Sequence, residues 1–157
     1  ISFDDNAYTL FMKMAGTARI LMKEILPHIK NRSFTRLSQD GMGQPSYFGG
    51  RKPEDGLISW QQDAISIYNL TRAVTHPYPG AFTYLDGKKF FIWKAWPLND
   101  LTDSLPGSVI STKPLAVSTG KGALTLHRVQ LDGGDEMDGE AFAEKYDVEN
   151  KILGGNT

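Results

Sequence analysis

The sequence contains no cysteine among its 157 residues, which excludes disulfide bonds, thiolate nucleophiles and cysteine-ligated zinc. Absence of cysteine also fits a cytoplasmic protein, and we expect that location. No apolar run approaches the roughly 18 residues of a membrane-spanning helix, so we expect no membrane partner. Lys and Arg total 17 and Asp and Glu total 18, which gives a net charge of −1. The chain as a whole therefore has no positive field to attract nucleic acid.

The motifs of the common catalytic and nucleotide-binding sites are missing as well. There is no G-x-S-x-G nucleophile elbow and no Walker or G-x-G-x-x-G phosphate loop. The three histidines, His28, His76 and His127, are too far apart in sequence for a ligand pair, and we interpret each as a structural or surface residue. The acidic stretch 132–138 lacks the spacing of an EF-hand loop and is interpreted as a solvated loop. These residues alone predict neither a metal site nor a reaction.

What the chain does contain is a hydrophobic fraction of 40%, enough for a core, and a first half with helical periodicity. Apolar residues at spacings of three and four predict a helix over 5–30. Asp4 or Asp5 is the predicted N-cap, and Pro27 is expected to end or kink the helix. A second helix is predicted over 61–75, with Ser59 and Gln62 as a capping box.

The sequence pattern of the second half indicates short strands separated by turns. The dipeptide Asp86-Gly87 is a two-residue hairpin signal. Five short strands in about fifty residues indicate a small barrel, and a short helix is predicted to follow over 140–145. The fold class predicted from these patterns is therefore α+β. The strands are predicted at 81–85, 88–96, 108–111, 115–118 and 123–130.

The loop over 31–57 is too long for a passive connection and contains the best local candidate for a site. Gly49 and Gly50 would let the backbone approach a ligand closely. Arg51 and Lys52 could then meet a phosphate, and the arginine could do so through two hydrogen bonds. The alternative is a polar surface loop with Tyr47 and its neighbour Phe48 turned inward, and the residues alone do not decide between the two.

Five stretches in a fixed order resemble the formyltetrahydrofolate-dependent formyltransferases. The stretches at 47–60 and 72–82 are most similar in sequence to the branch that formylates nucleotide-linked amino sugars, of the UDP-4-amino-4-deoxy-L-arabinose formyltransferase type. The related alternative is methionyl-tRNA formyltransferase, whose C-terminal part binds tRNA. The stretches are YFGGRKPEDGLISW at 47–60, RAVTHPYPGAF at 72–82, KFFIWKA at 89–95, PGSVI at 106–110 and GKGALTL at 120–126.

The resemblance implies a division of the chain and a parent reaction. Residues 1–75 would be the end of a Rossmann-like catalytic domain, with its last helix over 1–32, plus the linker. Residues 76–157 would be an OB-like C-terminal barrel. The parent enzyme would transfer a formyl group from N10-formyltetrahydrofolate to the amine of the sugar. Because the chain opens at Ile1 without Met, we expect it to be a fragment of a longer protein.

The catalytic residues of that family have no counterpart here. No Asn-x-His stretch is present in the sequence, and neither Asp4 nor Asp5 matches the family's catalytic aspartate. The chain alone is therefore expected to be inactive, and most of the folate pocket is expected outside it. The residues we assign to substrate binding, at the nucleotide-linked sugar, are Tyr47, Gly49, Gly50 and Arg51.

Charge separates the two branches of the family. Residues 76–157 contain eight Lys or Arg and eleven Asp or Glu, a net charge of −3. An acidic barrel is a poor surface for tRNA, so tRNA is not an expected partner. A homo-oligomer is a further possibility, because the aromatic strand over 90–96 could bury against a second copy. We interpret its aromatic side chains as part of the core.

Overall fold

A computed structural model of the protein describes residues 1–98 and 103–154. A long N-terminal helix and a short second helix precede the strands, as the sequence predicts. The last three residues of the predicted barrel lie outside the described part. The elements are α1 (Ala7–Lys30), a 3-10 helix (Pro53–Gly56), α2 (Ala64–Val74), β1 (Ala81–Leu85), β2 (Lys88–Leu98), β3 (Val109–Thr112), β4 (Leu115–Ser118), β5 (Ala123–Leu131), β6 (Glu136–Asp138) and α3 (Gly139–Lys145).

The strands form one antiparallel sheet in the order β1-β2-β5-β4-β3, with β6 added on β5. Its two ends are joined by the C-terminal segment 151–154. The Leu153 N–H donates to Gly107 O at 2.8 Å beside β3, and the Gly154 N–H donates to Tyr84 O on β1 at 2.9 Å. This segment therefore satisfies backbone groups of both edges, and the small OB-like barrel predicted from the sequence is confirmed.

A bulge in β2 changes which side chains face the core. The pairing of β2 with β5 shifts register on both sides of Lys94. Ile92 and Ala95 are both buried although two residues separate them, so Trp93 and Lys94 both lie on the outer face. Thr75 stabilises the bulge, because its hydroxyl donates to Trp93 O at 2.7 Å. Strict alternation along the strand would place Trp93 and Ala95 on the same face, and the bulge places them on opposite faces.

The core lies between the concave face of the sheet and the helices α2 and α3. Phe142 of α3 is 1% exposed, and its ring centroid lies 4.8 Å from that of Phe90. At the other end of the core, the buried Trp60 indole donates to Thr83 Oγ1 at 3.0 Å. Phe90 thus belongs to the core, whereas Trp96 at the end of the same strand remains exposed.

Helix α1 begins two residues later than predicted and ends at the predicted residue, but it contains no buried residue. Its N-cap is Asn6, not Asp4 or Asp5: the Thr9 N–H donates to Asn6 Oδ1 at 2.8 Å, and the Thr9 hydroxyl oxygen accepts from the Asn6 N–H at 2.9 Å. The helix also continues three residues past Pro27. A proline removes only its own donor, and the Pro27 carbonyl still accepts from the Asn31 N–H at 2.9 Å.

Helix α2 begins later than the sequence predicts. Asp63 is its N-cap and accepts from the Ser66 N–H at 2.8 Å, so the capping box at Ser59 and Gln62 was wrong. The carbonyls of Trp60 and Gln62 instead accept from the Gly120 N–H at 2.8 and 2.9 Å. These contacts to a distant turn hold residues 60–62 outside the helix.

Candidate functional site

Tyr47, Gly49 and Gly50 lie on an exposed segment. Tyr47 is 90% exposed and Phe48 92% exposed. A Cβ added at either glycine would meet nothing within 4 Å, and neither glycine has a left-handed φ. The alternative in which Tyr47 and Phe48 pack inward was therefore wrong. None of these three positions lines either of the cavities described below, and their role in binding stays a prediction.

Arg51 and Lys52, the next two residues, line a cavity of about 380 Å³. Its other walls come from the end of α2 and from the turn at Tyr78 and Gly80. We call it the Arg51 cavity. The 3-10 helix fixes the path of the chain here, because Asp55 Oδ2 accepts from the Lys52 N–H at 2.8 Å.

The two cations of the Arg51 cavity, Arg51 and Lys52, are not engaged in ion pairs in the described part of the chain. An ion pair of Arg51 with Glu54 or Asp55 would have made it an ordinary surface residue. Because Asp55 is bound to a backbone N–H instead, two cations remain free to meet an anion.

Two glycines in close backbone contact form the floor of this cavity. A Cβ at Gly56 would collide with Gly80 O. Gly80 has a φ of +89°, and a Cβ there would lie 2.7 Å from ring carbons of Trp93. The turn after α2 can therefore reach the 3-10 helix and the sheet only with glycine at both positions.

A second and larger cavity, of about 460 Å³, lies between α2, the outer face of β2 and the residues preceding α1. We call it the His76 cavity. The His76 ring stacks on Trp93, with centroids 3.8 Å apart and an interplanar angle of 13°. Its Nε2 lies 2.9 Å from Glu136 Oε2, so the ring is held both by stacking and by a hydrogen bond.

Glu136 connects this histidine to the sheet. The Arg128 Nε–H donates to Glu136 Oε1 at 2.9 Å, and a second nitrogen of Arg128 lies 3.2 Å from Asp138 Oδ2. Partial burial raises the pKa of Glu136, but the hydrogen bonds from Arg128 and His76 outweigh it, and the pKa lies below its usual range.

Sequence reasoning missed this cluster for a specific reason. The stretch 132–138 was interpreted as a solvated acidic loop, yet residues 136–138 form β6 and pair with β5. His76 and Glu136 are 60 positions apart, and only the tertiary pairing of β6 brings them together. The outward position of Lys94 depends on the bulge in β2, for which the alternating sequence gives no signal.

Comparison with known families decides what kind of domain carries these two cavities. Residues 51–147 match the sequence profile of the formyl transferase C-terminal domain. The chain belongs to that family. The match covers the Arg51 cavity, the six strands and all of the His76 cavity except Asp4 and Asn6. It confirms the family assignment from the resemblance. It does not distinguish the amino-sugar branch from the others.

The fold is also similar to that of HypX from Aquifex aeolicus. A HypX variant with four alanine substitutions superposes with a TM-score of 0.64 at 17% identity, over 90% of this chain and 26% of HypX. The complex of HypX with tetrahydrofolic acid gives a TM-score of 0.54, over 83% of this chain and 24% of HypX. At such identity the likeness shows a shared fold, and the chain spans about a quarter of the length of HypX.

In residues 1–98 and 103–154, no helix is both long and apolar enough to cross a membrane. Over the same residues, no group of three or more histidine, aspartate or glutamate side chains is placed to hold a metal ion.

Proposed function

We propose that this chain is the C-terminal portion of an enzyme that formylates the amine of a nucleotide-linked amino sugar, with N10-formyltetrahydrofolate as the donor. The observation that carries the proposal is the Arg51 cavity, which lies inside a formyl transferase C-terminal domain and has two unpaired cations. In the proposed complex Arg51 binds the diphosphate of the nucleotide. The guanidinium can donate two parallel hydrogen bonds to phosphate oxygens, whereas Lys52 supplies a point charge.

The exposed face of α1 supports a larger parent protein. Large apolar side chains on this helix, such as Phe11 at 59% exposure and Met14 at 63%, have no cover in the described residues. Isolated helices with such faces are rarely stable without a packing partner. In our proposal, the catalytic domain supplied by the parent enzyme covers this face and binds the folate.

The parent reaction needs residues that this chain does not supply. The sugar amine forms a bond to the formyl carbon, the bond from that carbon to N10 of the folate breaks, and the proton lost by the amine passes to N10. A base and an oxyanion donor must be positioned at the formyl group. We assign no described residue to either role, so the isolated chain should not turn over formyltetrahydrofolate above the buffer rate.

The test of the Arg51 assignment is Arg51→Ala in the enzyme that contains this chain. A charge-assisted hydrogen bond contributes about 1.5–3 kcal/mol, so the KM for the nucleotide sugar should rise about tenfold or more. The KM for the folate should stay nearly constant. The matched control is Arg36→Ala, an exposed arginine that lines none of the described cavities. Unchanged nucleotide-sugar kinetics in a folded Arg51→Ala enzyme would contradict the assignment.

A tRNA substrate is the competing prediction, and charge separates the two. The net charge of −3 over residues 76–157 leaves little counterion release to drive binding. We expect negligible tRNA binding at physiological salt in a filter-binding titration. Micromolar affinity with a steep salt dependence would favour the tRNA branch instead.

A further inference from the structure

The His76 cavity contains positive charge that the protein does not neutralise. Arg72 donates to Asp5 O and to Asn69 Oδ1, both at 2.9 Å. Both acceptors are uncharged, so the guanidinium retains its full charge. Lys94, which the bulge places on the outer face, forms no ion pair within the described residues.

The remaining charges of the cavity nearly cancel. Arg128 is paired with Glu136, and its guanidinium also contacts Asp138. Asp4 is the other acid in the lining, and it forms no ion pair with a described residue. Among the lining residues, Arg72, Lys94 and Arg128 against Asp4 and Glu136 leave one net positive charge, and Asp138 lies outside the lining. The barrel around the cavity is acidic overall.

Flat aromatic surfaces accompany these cations. Phe91, Trp93 and His76 form a continuous stack, with interplanar angles of 11° and 13°. The Trp93 indole is fixed by its N–H, which donates to Gln130 Oε1 at 3.0 Å. His76 ends the stack among the described rings and its side chain is 58% exposed, so its outer face is available to one more planar ring.

We propose that the His76 cavity is a second binding site, separate from the Arg51 cavity, for a nucleoside monophosphate. The base extends the stack on His76, and the phosphate binds Arg72 and Lys94. The volume of about 460 Å³ falls within the range of small-ligand pockets, roughly 300–1,000 Å³. Stacking onto an aromatic ring tolerates any base, so the site selects the combination of ring and phosphate over the identity of the base.

The combination of features disfavours simpler ligands. An uncharged aromatic compound would leave the charges of Arg72 and Lys94 buried beneath it without a partner, which is costly. Inorganic phosphate would use the cations but not the stack. A long nucleic acid would need cations along an extended track, and the surrounding barrel is acidic.

The test is a titration of this 157-residue chain with uridine monophosphate, followed by tryptophan fluorescence. Trp93 and Trp96 line the cavity, whereas Trp60 is buried in the core, so the signal reports on this site. We expect saturable quenching that weakens as salt is added. Uridine, which lacks the phosphate, and ribose 5-phosphate, which lacks the base, should each bind at least tenfold more weakly.

Two variants separate the contributions of charge and stacking. Lys94→Gln should lower the affinity for uridine monophosphate about tenfold, since it removes a charge-assisted contact. Its matched control is Lys88→Gln, an exposed lysine on the same strand and outside the cavity, which should change nothing. His76→Ala should lower the affinity for uridine monophosphate about fivefold or more and leave the weak binding of ribose 5-phosphate unchanged.

Four results would overturn the proposal. The first is absence of saturable quenching at millimolar uridine monophosphate, and the second is equal affinity for uridine. The third is binding that Lys94→Gln and Lys88→Gln affect equally. The fourth is loss of the signal in Arg51→Ala, which would assign the nucleotide to the Arg51 cavity. If Arg51→Ala leaves the binding of uridine monophosphate unchanged, the His76 cavity is distinct from the Arg51 cavity. That conclusion does not depend on whether Arg51→Ala changes the KM for the nucleotide sugar.

Discussion

Helix α1 and the helices that pack on the barrel differ completely in burial. Both α1 and α2 show apolar residues at helical spacing, and α2 buries Ala64, Ile67, Tyr68 and Val74. The 24-residue α1 has no buried residue, whereas the seven-residue α3 buries Phe142 against Phe90. Periodicity therefore identifies the apolar face of a helix, but not what covers it. What covers α3 is the barrel; in our proposal, what covers α1 is the rest of the enzyme.

The sharpest test of this comparison is a pair of phenylalanine truncations. Phe142→Ala empties a fully buried position, and such changes cost about 3–5 kcal/mol. Phe11→Ala removes an exposed ring of α1, and surface changes usually stay within about 0.5 kcal/mol. The free energy of unfolding of this chain in urea measures both.

The stability of Phe11→Ala tests whether α1 has a packing partner within this chain. A loss of more than about 1 kcal/mol in Phe11→Ala would show that α1 is covered in solution by contacts that the isolated chain makes. Self-association would be the natural source, and sedimentation of both variants would detect it. A near-zero change would leave α1 as a face without a partner in this chain.

A pair of glycine substitutions gives the next largest effect. Gly80 in the barrel half has a φ of +89° and touches Trp93, whereas Gly50 in the exposed segment touches nothing within 4 Å. Gly80→Ala should cost about 1–3 kcal/mol, since it strains the backbone and displaces the indole. Gly50→Ala should be neutral in thermal unfolding. A destabilised Gly50→Ala chain would mean that the segment 31–52 has fixed contacts.

The elements that the sequence predicted correctly depend on local chemistry. Asp86 and Gly87 both have positive φ, 48° and 75°, as a two-residue hairpin turn requires. Strands β1 and β4 have the predicted bounds for the same reason, because turn residues limit them on both sides.

The elements that the sequence missed depend on partners far along the chain. Strand β6 exists because residues 136–138 pair with β5, and the bulge at Lys94 depends on the register between β2 and β5. The candidate site divides in the same way. Two glycines followed by Arg51 and Lys52 were recognisable as a cationic loop. The His76 cavity depends instead on tertiary contacts, namely the stacking of His76 on Trp93, the contact of His76 with Glu136 and the pairing of β6 with β5.

The smallest predicted effect concerns Asp5, which lies just before α1 and contacts both α1 and α2. Lys13 donates to both carboxylate oxygens of Asp5, at 2.7 and 2.8 Å, and the Ser2 N–H donates at 2.7 Å. The hydrogen bond from Lys13 is the largest cause that lowers the pKa of Asp5 from 3.8 to about 2. Arg72 holds the same residue to α2 through its carbonyl.

The sign of the pH dependence follows from that lowered pKa. A carboxylate whose pKa is lower in the folded chain stabilises it above the unfolded pKa, and this contribution is lost as the pH falls through the folded value. The start of α1 should therefore loosen between about pH 4 and pH 2. An NMR titration of the Asp5 carboxyl should give a midpoint near 2, with parallel loss of amide protection at Thr9.

Asp5→Asn should remove this pH dependence, whereas Asp40→Asn, in the exposed segment, should not affect it. The asparagine side chain cannot pair ionically with Lys13, so the first turn of α1 should be less protected already at neutral pH. The barrel should keep its stability in both variants, because no core residue contacts these carboxylates through an ion pair. A midpoint for Asp5 near its ordinary value of 3.8 would show instead that Lys13 does not hold the carboxylate in solution.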